Sequence, residues 1–211
     1  MVHKNSKLSE ARRRGRLRQY DPDKALEKAA ESFWKSGYAA TSLDDLVAAT
    51  GMNRPSLYAA FGDKSALYLK TLQRYLRQSR AKSLEILADS PSLRMFLKRF
   101  YEAALDIYQA GGDEARGCYS ISTAPAQAVT DAAVREFLAA SISGTDAFLS
   151  AVISKARARG EVPSTADPMA LAQLATATLH TIAVRSRVGV SRKQLMALAA
   201  TAIDLICGPE K

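Results

Sequence analysis

The sequence contains few of the side chains that bind metals or form disulfide bonds. It has two cysteines, Cys118 and Cys207, and two histidines, His3 and His180, among 211 residues. Two cysteines do not form a disulfide framework in a chain of this size, and a zinc site would have too few ligands at a recognisable spacing. We therefore expect a reducing compartment, no metal and no cofactor. A metal site built from carboxylates is left open by composition.

Long hydrophobic runs and catalytic signatures are also missing. No apolar run approaches the roughly 18 residues of a membrane span, and residues 1–20 lack the apolar core of a signal peptide. No Ser/His/acid set, paired catalytic carboxylates, P-loop or dinucleotide-binding glycine motif is present. The sequence therefore predicts a cytoplasmic protein that is not an enzyme and does not contact a membrane.

Positive charge is abundant and unevenly distributed. The formal net charge is +9, and residues 1–20 hold seven basic side chains and one acidic one, whereas acidic side chains outnumber basic ones in residues 21–64. A run of arginines that includes Arg14 and Arg16 suits contact with DNA phosphates or insertion into a minor groove. The alternative is a tail that only increases solubility.

Residues 41–64 predict two short helices joined by a tight turn. Thr41 or Ser42 can cap the first helix, with an aspartate three residues later. Gly51 tolerates the left-handed conformation that ends a helix, and Asn53 can cap the second helix. Two helices joined by a short turn that contains glycine form a helix-turn-helix, whose second helix enters the DNA major groove.

Apolar side chains recur at helical spacing in the rest of the chain, and no stretch alternates with the period of a β-strand. The sequence therefore predicts an all-α fold with about nine helices, in which a three-helix head precedes a larger helical body. Capping residues, glycines and prolines place the remaining helices at residues 22–36, 64–88, 91–110, within 112–125, 131–159, 169–188 and 191–206. The expected organisation is a basic arm at 1–20, a head at 21–65 and a body at 66–211.

The helix-turn-helix segment and the start of the helix after it resemble the signature of the TetR family of bacterial repressors. The matching residues are Ala48, Gly51, Asn53, Ser56, Leu57, Tyr58, Phe61, Lys64 and Leu67. The resemblance implies a DNA-binding head of three helices, a helical body that binds a small effector, and a homodimer built by the last two helices. It also implies that Tyr58 and Lys64 contact phosphates and that Asn53, Arg54 and Ser56 lie in the base-reading segment. The complete set of predicted DNA contacts is Arg14, Arg16, Thr41, Ser42, Asn53, Arg54, Pro55, Ser56, Tyr58 and Lys64.

An effector pocket is predicted from helix faces. Gln173, Thr176 and His180 share one face of an otherwise apolar helix, where they either reach a cavity or hydrogen-bond across a dimer seam; a core histidine is an equal alternative for His180. Cys118 follows a cation at a possible helix N-terminus, which favours thiolate, although a small buried hydrophobe is the simpler interpretation. The predicted effector contacts are Phe96, Arg99, Phe100, Cys118, Tyr119, Gln173, Thr176 and His180.

The last two helices are poor in charge. Helices that are apolar almost all round are buried, either by a second subunit or by their own domain. The predicted dimer contacts are Leu174, Leu179, Ile182, Leu195, Leu198 and Leu205.

These observations predict a sequence-specific transcriptional regulator, a repressor that a small molecule releases from a palindromic operator. The expected effector is apolar or aromatic, and Arg99 and His180 leave room for a carboxylate. Two alternatives stay open: a helical small-molecule-binding protein or enzyme in which the helix-turn-helix is incidental, and a protein that coats DNA without sequence preference.

Overall fold

The computed structural model describes residues 21–110 and 116–209. Within these residues the chain is helical and contains no β-strand, as the sequence predicts. The helices, in chain order, are α1 (Pro22–Ala40), α2 (Leu43–Thr50), α3 (Arg54–Phe61), α4 (Lys64–Ala88), α5 (Leu93–Tyr108), α6 (Tyr119–Gln127), α7 (Ala132–Ala158), α8 (Pro168–Arg187) and α9 (Arg192–Cys207).

Side-chain caps fix most helix starts. Asp131, Asp167 and Ser191 accept hydrogen bonds from backbone N–H groups of the first turns of α7, α8 and α9. The predicted starts therefore agree with the structure to within one residue. Helix α5 begins later than predicted, because Ser92 accepts a hydrogen bond from the Met95 N–H and so caps the helix after Pro91.

A glycine bends α1 near its end. Gly37 has φ 77°, a backbone conformation that residues with a side chain rarely adopt, and it interrupts the helical backbone. The chain then returns toward the head, where the Tyr38 ring stacks on Phe33 with centroids 6.0 Å apart. The predicted role of Gly37 is confirmed, and a short helical extension to Ala40 follows it.

Two apolar cores hold the molecule together. The head core contains Phe33, Leu46 and Leu57, and it extends to Tyr68 on α4 and to Tyr119 on α6. The second core lies between α5, α7, α8 and α9. Because α4 and α6 contribute to the head core, the body is connected to the head by packed side chains as well as by the backbone of α4.

Helix α7 is long and apolar enough, by length and composition alone, to cross a membrane. The prediction concerned uninterrupted apolar runs, and charged side chains such as Asp146 interrupt α7. Leu149, Ile153 and Ala156 are buried against the body, although only 17% of the most apolar 18-residue stretch is buried. A single helix of this composition is weak evidence for a membrane segment.

Candidate functional site

The turn between α2 and α3 is fixed at both ends. Gly51 has φ 70°, and its N–H donates to the Val47 carbonyl at 2.9 Å, which ends α2. The Asn53 side-chain oxygen accepts from the Ser56 N–H at 2.9 Å, which starts α3. Between them, the side chain of Met52 is buried in the head core. This geometry sets the angle between the two helices and therefore the face that α3 presents.

The predicted DNA-binding residues of α3 lie at the surface. Asn53, Arg54 and Pro55 are exposed at the start of the helix, Tyr58 is 43% exposed, and Ser56 is half-buried. Leu57 and Phe61 on the opposite face are buried in the head core. The N-terminal half of α3 therefore offers polar groups to a partner while the other face anchors it.

Arg54 has an acidic neighbour that was not among the predicted site residues. Its guanidinium donates to Asp44 Oδ1 of α2 at 2.7 Å, and both side chains are more than half exposed. The hydrogen bond and the charge of Asp44 raise the pKa of Arg54. Asp44 holds the guanidinium over the start of α3. An arginine and an aspartate ten residues apart on adjacent helices could have signalled the pair.

Two predicted contacts before α2 take part in local structure. The Ser42 hydroxyl accepts from the Asp45 N–H at 3.1 Å and donates to the Asp45 carboxylate at 2.7 Å, which completes a capping box and lowers the pKa of Asp45. The Thr41 side chain is 1% exposed, and its hydroxyl donates to the Gly37 carbonyl at 2.7 Å. The prediction that the Thr41 side chain contacts DNA is therefore wrong, because its hydroxyl is buried in the head.

Lys64 lies at the junction of the turn and α4. Its ammonium nitrogen is 4.3 Å from the centre of the Tyr38 ring, and partial burial lowers its pKa. The aromatic ring positions this cation beside the helix-turn-helix. Arg14 and Arg16 of the predicted arm lie outside the described residues.

A cavity of about 150 Å³ lies in the body between α4, α5, α7 and α8. Apolar side chains and four hydroxyl-bearing ones surround it, together with one arginine. The lining residues are Leu76, Ser79, Arg80, Ser83, Phe100, Ala140, Ser141, Gly144, Thr145, Phe148 and Leu179. A smaller cavity of about 70 Å³ shares Ser79, Ser83, Phe100 and Leu179 with it.

Of the predicted effector contacts, Phe100 lines this cavity. Phe96 is sealed beneath it and stacks on Phe100 with ring centroids 5.7 Å apart. Arg99 points away, because its guanidinium donates to the Asp89 carbonyl at 2.7 Å on the surface. Tyr119 lies against the head, where its hydroxyl is 2.7 Å from the Thr71 hydroxyl. Phe96, Arg99 and Tyr119 therefore do not line this cavity, although Tyr119 lines a separate pocket beside Trp34. Their contact with an effector stays a prediction.

The three polar residues of α8 occupy different environments. Gln173 is exposed, Thr176 is buried, and His180 is half-buried near Asp146 of α7. Burial lowers the pKa of His180, and the charge of Asp146 partly opposes that shift. None of the three lines the cavity, and the alternative, hydrogen bonds across a dimer seam, stays a prediction. Gln173 and Thr176, only three residues apart, therefore face solvent and core separately.

Cys118 is a buried residue at the start of α6. Its sulfur is 3.3 Å from the Ser120 hydroxyl and accepts a hydrogen bond from the Tyr75 hydroxyl at 3.5 Å. It belongs to the body core and does not line the cavity. The interpretation as a small buried side chain therefore fits its position better than direct contact with an effector.

The predicted dimer contacts divide between the core and the surface. Ile182 and Leu195 are buried within their own chain, and Leu179 lines the cavity. Ile182 and Leu195 therefore face the core of their own subunit, whereas Leu179 is half-buried and its contact with a partner stays a prediction. Leu198 is half-buried against the body core, whereas Leu174 and Leu205 are exposed.

Polar contacts join α1 of the head to the start of α6. Arg116 donates two hydrogen bonds to the Glu31 carboxylate at 2.7 and 2.8 Å, and its guanidinium lies 5.7 Å from the Trp34 ring. The Trp34 Nε1–H donates to the Arg116 carbonyl at 3.3 Å. On the body side, Arg187 of α8 donates to the same carbonyl at 2.9 Å. Arg116 therefore contacts both α1 of the head and α8 of the body.

Comparison with known proteins identifies relatives of both halves. Residues 25–71 match the family described as bacterial regulatory proteins, tetR family, and residues 95–203 match the tetracyclin repressor-like C-terminal domain. The chain is 31% identical over 193 residues to the HTH-type transcriptional repressor ComR of Escherichia coli (strain K12), an alignment that covers 91% of each protein. It is 33% identical over 155 residues to the HTH-type transcriptional regulator YezE of Bacillus subtilis (strain 168), covering 70% of this chain and 76% of that protein.

Solved structures share the fold. The chain aligns with a cysteine mutant of the regulator CifR in complex with 26-base-pair operator DNA, with a TM-score of 0.79 and 29% identity. That alignment covers 90% of this chain and 98% of the other. The reduced form of NemR from E. coli also gives a TM-score of 0.79, at 18% identity, and supports the fold alone.

Proposed function

The chain belongs to the TetR family and is a DNA-binding transcriptional regulator, and from this premise we propose that it is a cytoplasmic, homodimeric repressor released from a palindromic operator by a small molecule. The observation that carries the proposal is the surface of α3. Arg54 and Tyr58 are exposed on it, while Leu57 and Phe61 anchor its other face.

Arg54 is the residue best placed to read a base. A guanidinium at the start of a recognition helix can donate to guanine O6 and N7, which is the commonest specific contact in the major groove. Asp44 restricts this side chain before DNA binds, so less side-chain entropy is lost on binding. Tyr58 and Lys64 flank it as donors to phosphates, which position the helix without reading sequence.

The proposed dimer forms through contacts of α8 and α9 with the same helices of a second copy of the chain. Leu174, Val184 and Leu205 are exposed apolar side chains on these two helices, and Val188 directly follows α8, with Val188 and Leu205 at 74% and 68% exposed. A two-fold pairing of this face would give a four-helix contact. The dimer would place two copies of α3 about 34 to 36 Å apart, or a multiple of that, to enter major grooves on one side of the duplex.

Helix α4 is the proposed link between effector and DNA. It begins at Lys64 beside the helix-turn-helix, and Ser83 in its sixth turn lines the cavity, roughly 28 Å away at 1.5 Å per residue. A ligand that binds better to a tilted α4 would shift the population toward dimers whose recognition helices no longer match the operator. Equal affinity for both arrangements would shift nothing.

Fluorescence anisotropy with labelled operator DNA tests the DNA-binding surface. We expect Arg54→Ala combined with Tyr58→Ala to abolish specific binding, and Arg77→Ala, which removes one exposed positive charge from α4, to leave it intact. Affinity of the wild-type protein should fall steeply with salt because phosphate contacts release counterions. Retained affinity in the double variant would exclude α3 as the recognition helix, and equal affinity for random DNA would favour nonspecific coating.

Light scattering tests the assembly. The wild-type protein should be a dimer at micromolar concentration, and Leu205→Glu should shift it toward monomer because a charge replaces an exposed apolar contact. The matched control is Leu84→Glu, since Leu84 is also an exposed leucine but lies on α4. A monomeric wild-type protein would contradict the proposed pairing of α8 and α9.

A further inference from the structure

We propose that the effector is a monocarboxylate that carries one aromatic ring, with its ring in the body cavity and its carboxylate bound by Arg80. This inference rests on the proposed function, since it assigns a chemical class to the molecule that the cavity would bind. It depends on the size of the cavity, the character of its walls and the position of its one charged residue.

The volume of the cavity matches one aromatic ring. An engineered apolar cavity of about 150 Å³ in another protein binds benzene, and the cavity here has about the same volume. The adjoining space of about 70 Å³ shares Phe100 and Leu179 with it. A single ring with a short linker therefore fits within this space.

The walls favour an aromatic group. Phe100, Phe148, Leu76 and Leu179 provide the apolar surface. Phe96 lies beneath and fixes both phenylalanines, since it stacks on Phe100 at 5.7 Å and meets Phe148 edge to face at 6.1 Å between centroids. Rings held in place in this way can receive a further ring in a stacked or edge-to-face arrangement.

Among the described residues that line this cavity, Arg80 is the only charged one. It is exposed, and within residues 21–110 and 116–209 no carboxylate forms a salt bridge with it. No acidic side chain lines the cavity, so a cationic ligand would meet repulsion with no compensating partner. An anionic group at this position would instead form charge-assisted hydrogen bonds with the guanidinium.

Two of the hydroxyl groups on the walls do not supply donors for an anion. Ser83 donates to the Ser79 carbonyl, and Thr145 donates to the Ser141 carbonyl, both at 2.9 Å. Their protons are used within their own helices, so these two hydroxyls offer acceptor oxygens to a ligand. A carboxylate needs donors, and Arg80 supplies the strongest donors on the wall.

Isothermal titration calorimetry of the full-length protein with three phenyl-bearing probes of different charge tests the proposal. The probes are hydrocinnamate, its neutral amide and phenethylammonium. We expect hydrocinnamate to bind, the amide to bind about tenfold to 100-fold more weakly because it lacks the ionic hydrogen bonds, and the cation not to bind. Equal affinity for acid and amide, or no binding of hydrocinnamate, would overturn the proposal.

Three variants separate the groups involved. Arg80→Gln should lower the affinity for hydrocinnamate by about tenfold or more and leave the affinity for the amide unchanged. Arg77→Gln, a neighbouring arginine of α4 that does not line the cavity, should change neither. Gly144→Leu should weaken both probes, because a Cβ at Gly144 meets no atom within 4 Å and a leucine there would extend into the cavity space. Unchanged binding of hydrocinnamate to Arg80→Gln would exclude the assignment.

Operator binding, measured for the same variants by anisotropy, distinguishes this proposal from the proposed function. If the protein binds operator DNA specifically but does not bind hydrocinnamate, the effector class is refuted and the DNA-binding role stays intact. A wild-type protein that binds hydrocinnamate but no operator DNA would refute the proposed repressor and leave the ligand site in place.

Discussion

Gly117 offers a sharp test of how closely α6 approaches α8. The residue has φ +64°, and a Cβ built there would lie 2.6 Å from the Ala183 carbonyl oxygen and 2.9 Å from the Ser122 hydroxyl oxygen. The carbonyl belongs to the backbone of α8, so it cannot move aside as the end of a flexible side chain could. We therefore expect Gly117→Ala to force α6 and α8 apart.

The expected loss of stability has two parts. A left-handed backbone conformation costs roughly 1–2 kcal/mol for a residue with a Cβ. Overpacking against fixed neighbours typically costs a further 1–3 kcal/mol. Gly117→Ala should therefore lower the free energy of unfolding by about 2–5 kcal/mol.

Gly189 provides the matched control. It has φ +83°, but a Cβ there meets no atom within 4 Å, so Gly189→Ala carries the backbone strain without the clash. Its expected loss is about 1–2 kcal/mol. Urea denaturation at one fixed protein concentration measures both variants, and the urea midpoints are compared at equal slope. Equal losses in the two variants would refute the claim that α6 and α8 approach too closely for a side chain.

Three further predictions concern the head, its junction with the body and α8. Ser42→Ala should lower the free energy of unfolding by about 1 kcal/mol in urea denaturation because the Asp45 N–H and carboxylate lose their capping partner; no change would show that the capping box adds nothing. Tyr68→Phe should cost about 1 kcal/mol, since it removes the buried 2.6 Å hydrogen bond to Thr123, and an unchanged melting temperature would contradict this. The pKa of His180 in the folded protein lies below its ordinary value of 6.5, so folding favours the neutral imidazole. Its contribution to the free energy of unfolding is therefore present above about pH 6.5 and is lost as the pH falls through the folded-state pKa. In thermal melts from pH 7.5 to about pH 5, His180→Gln should lose less stability than the wild-type protein, and an equal loss would exclude His180 as a source of the pH dependence.

Local signals predicted the helix-turn-helix well. The cap of α3 at Asn53 and the left-handed Gly51 involve residues within four positions of each other, and such contacts are fixed by the chain itself. The choice between Thr41 and Ser42 as the cap of α2 is also made locally. The Thr41 hydroxyl donates to the Gly37 carbonyl, four residues earlier in α1, so the Ser42 side chain caps α2.

The body shows where sequence alone was insufficient. Periodicity identified its helices but not which neighbour each face would meet. Arg99 was expected at the effector and Arg80 was not considered, yet Arg99 hydrogen-bonds at the surface and Arg80 lines the cavity. Serines and threonines four residues apart on α4 and α7, such as Ser79 and Ser83, were a sequence signal for a polar wall within apolar helices.

The sequence by itself determined the helical class, most helix ends and the helix-turn-helix, because these depend on hydrophobic period, capping residues and a glycine turn over short distances. The tertiary structure decided the cavity, the exposed apolar side chains of α8 and α9 and the contacts between head and body. Leu195 and Leu205 illustrate the reason: both are leucines of α9, but packing against the rest of the subunit buries one and leaves the other exposed. Such outcomes depend on the packing of helices distant in sequence, which no single segment encodes.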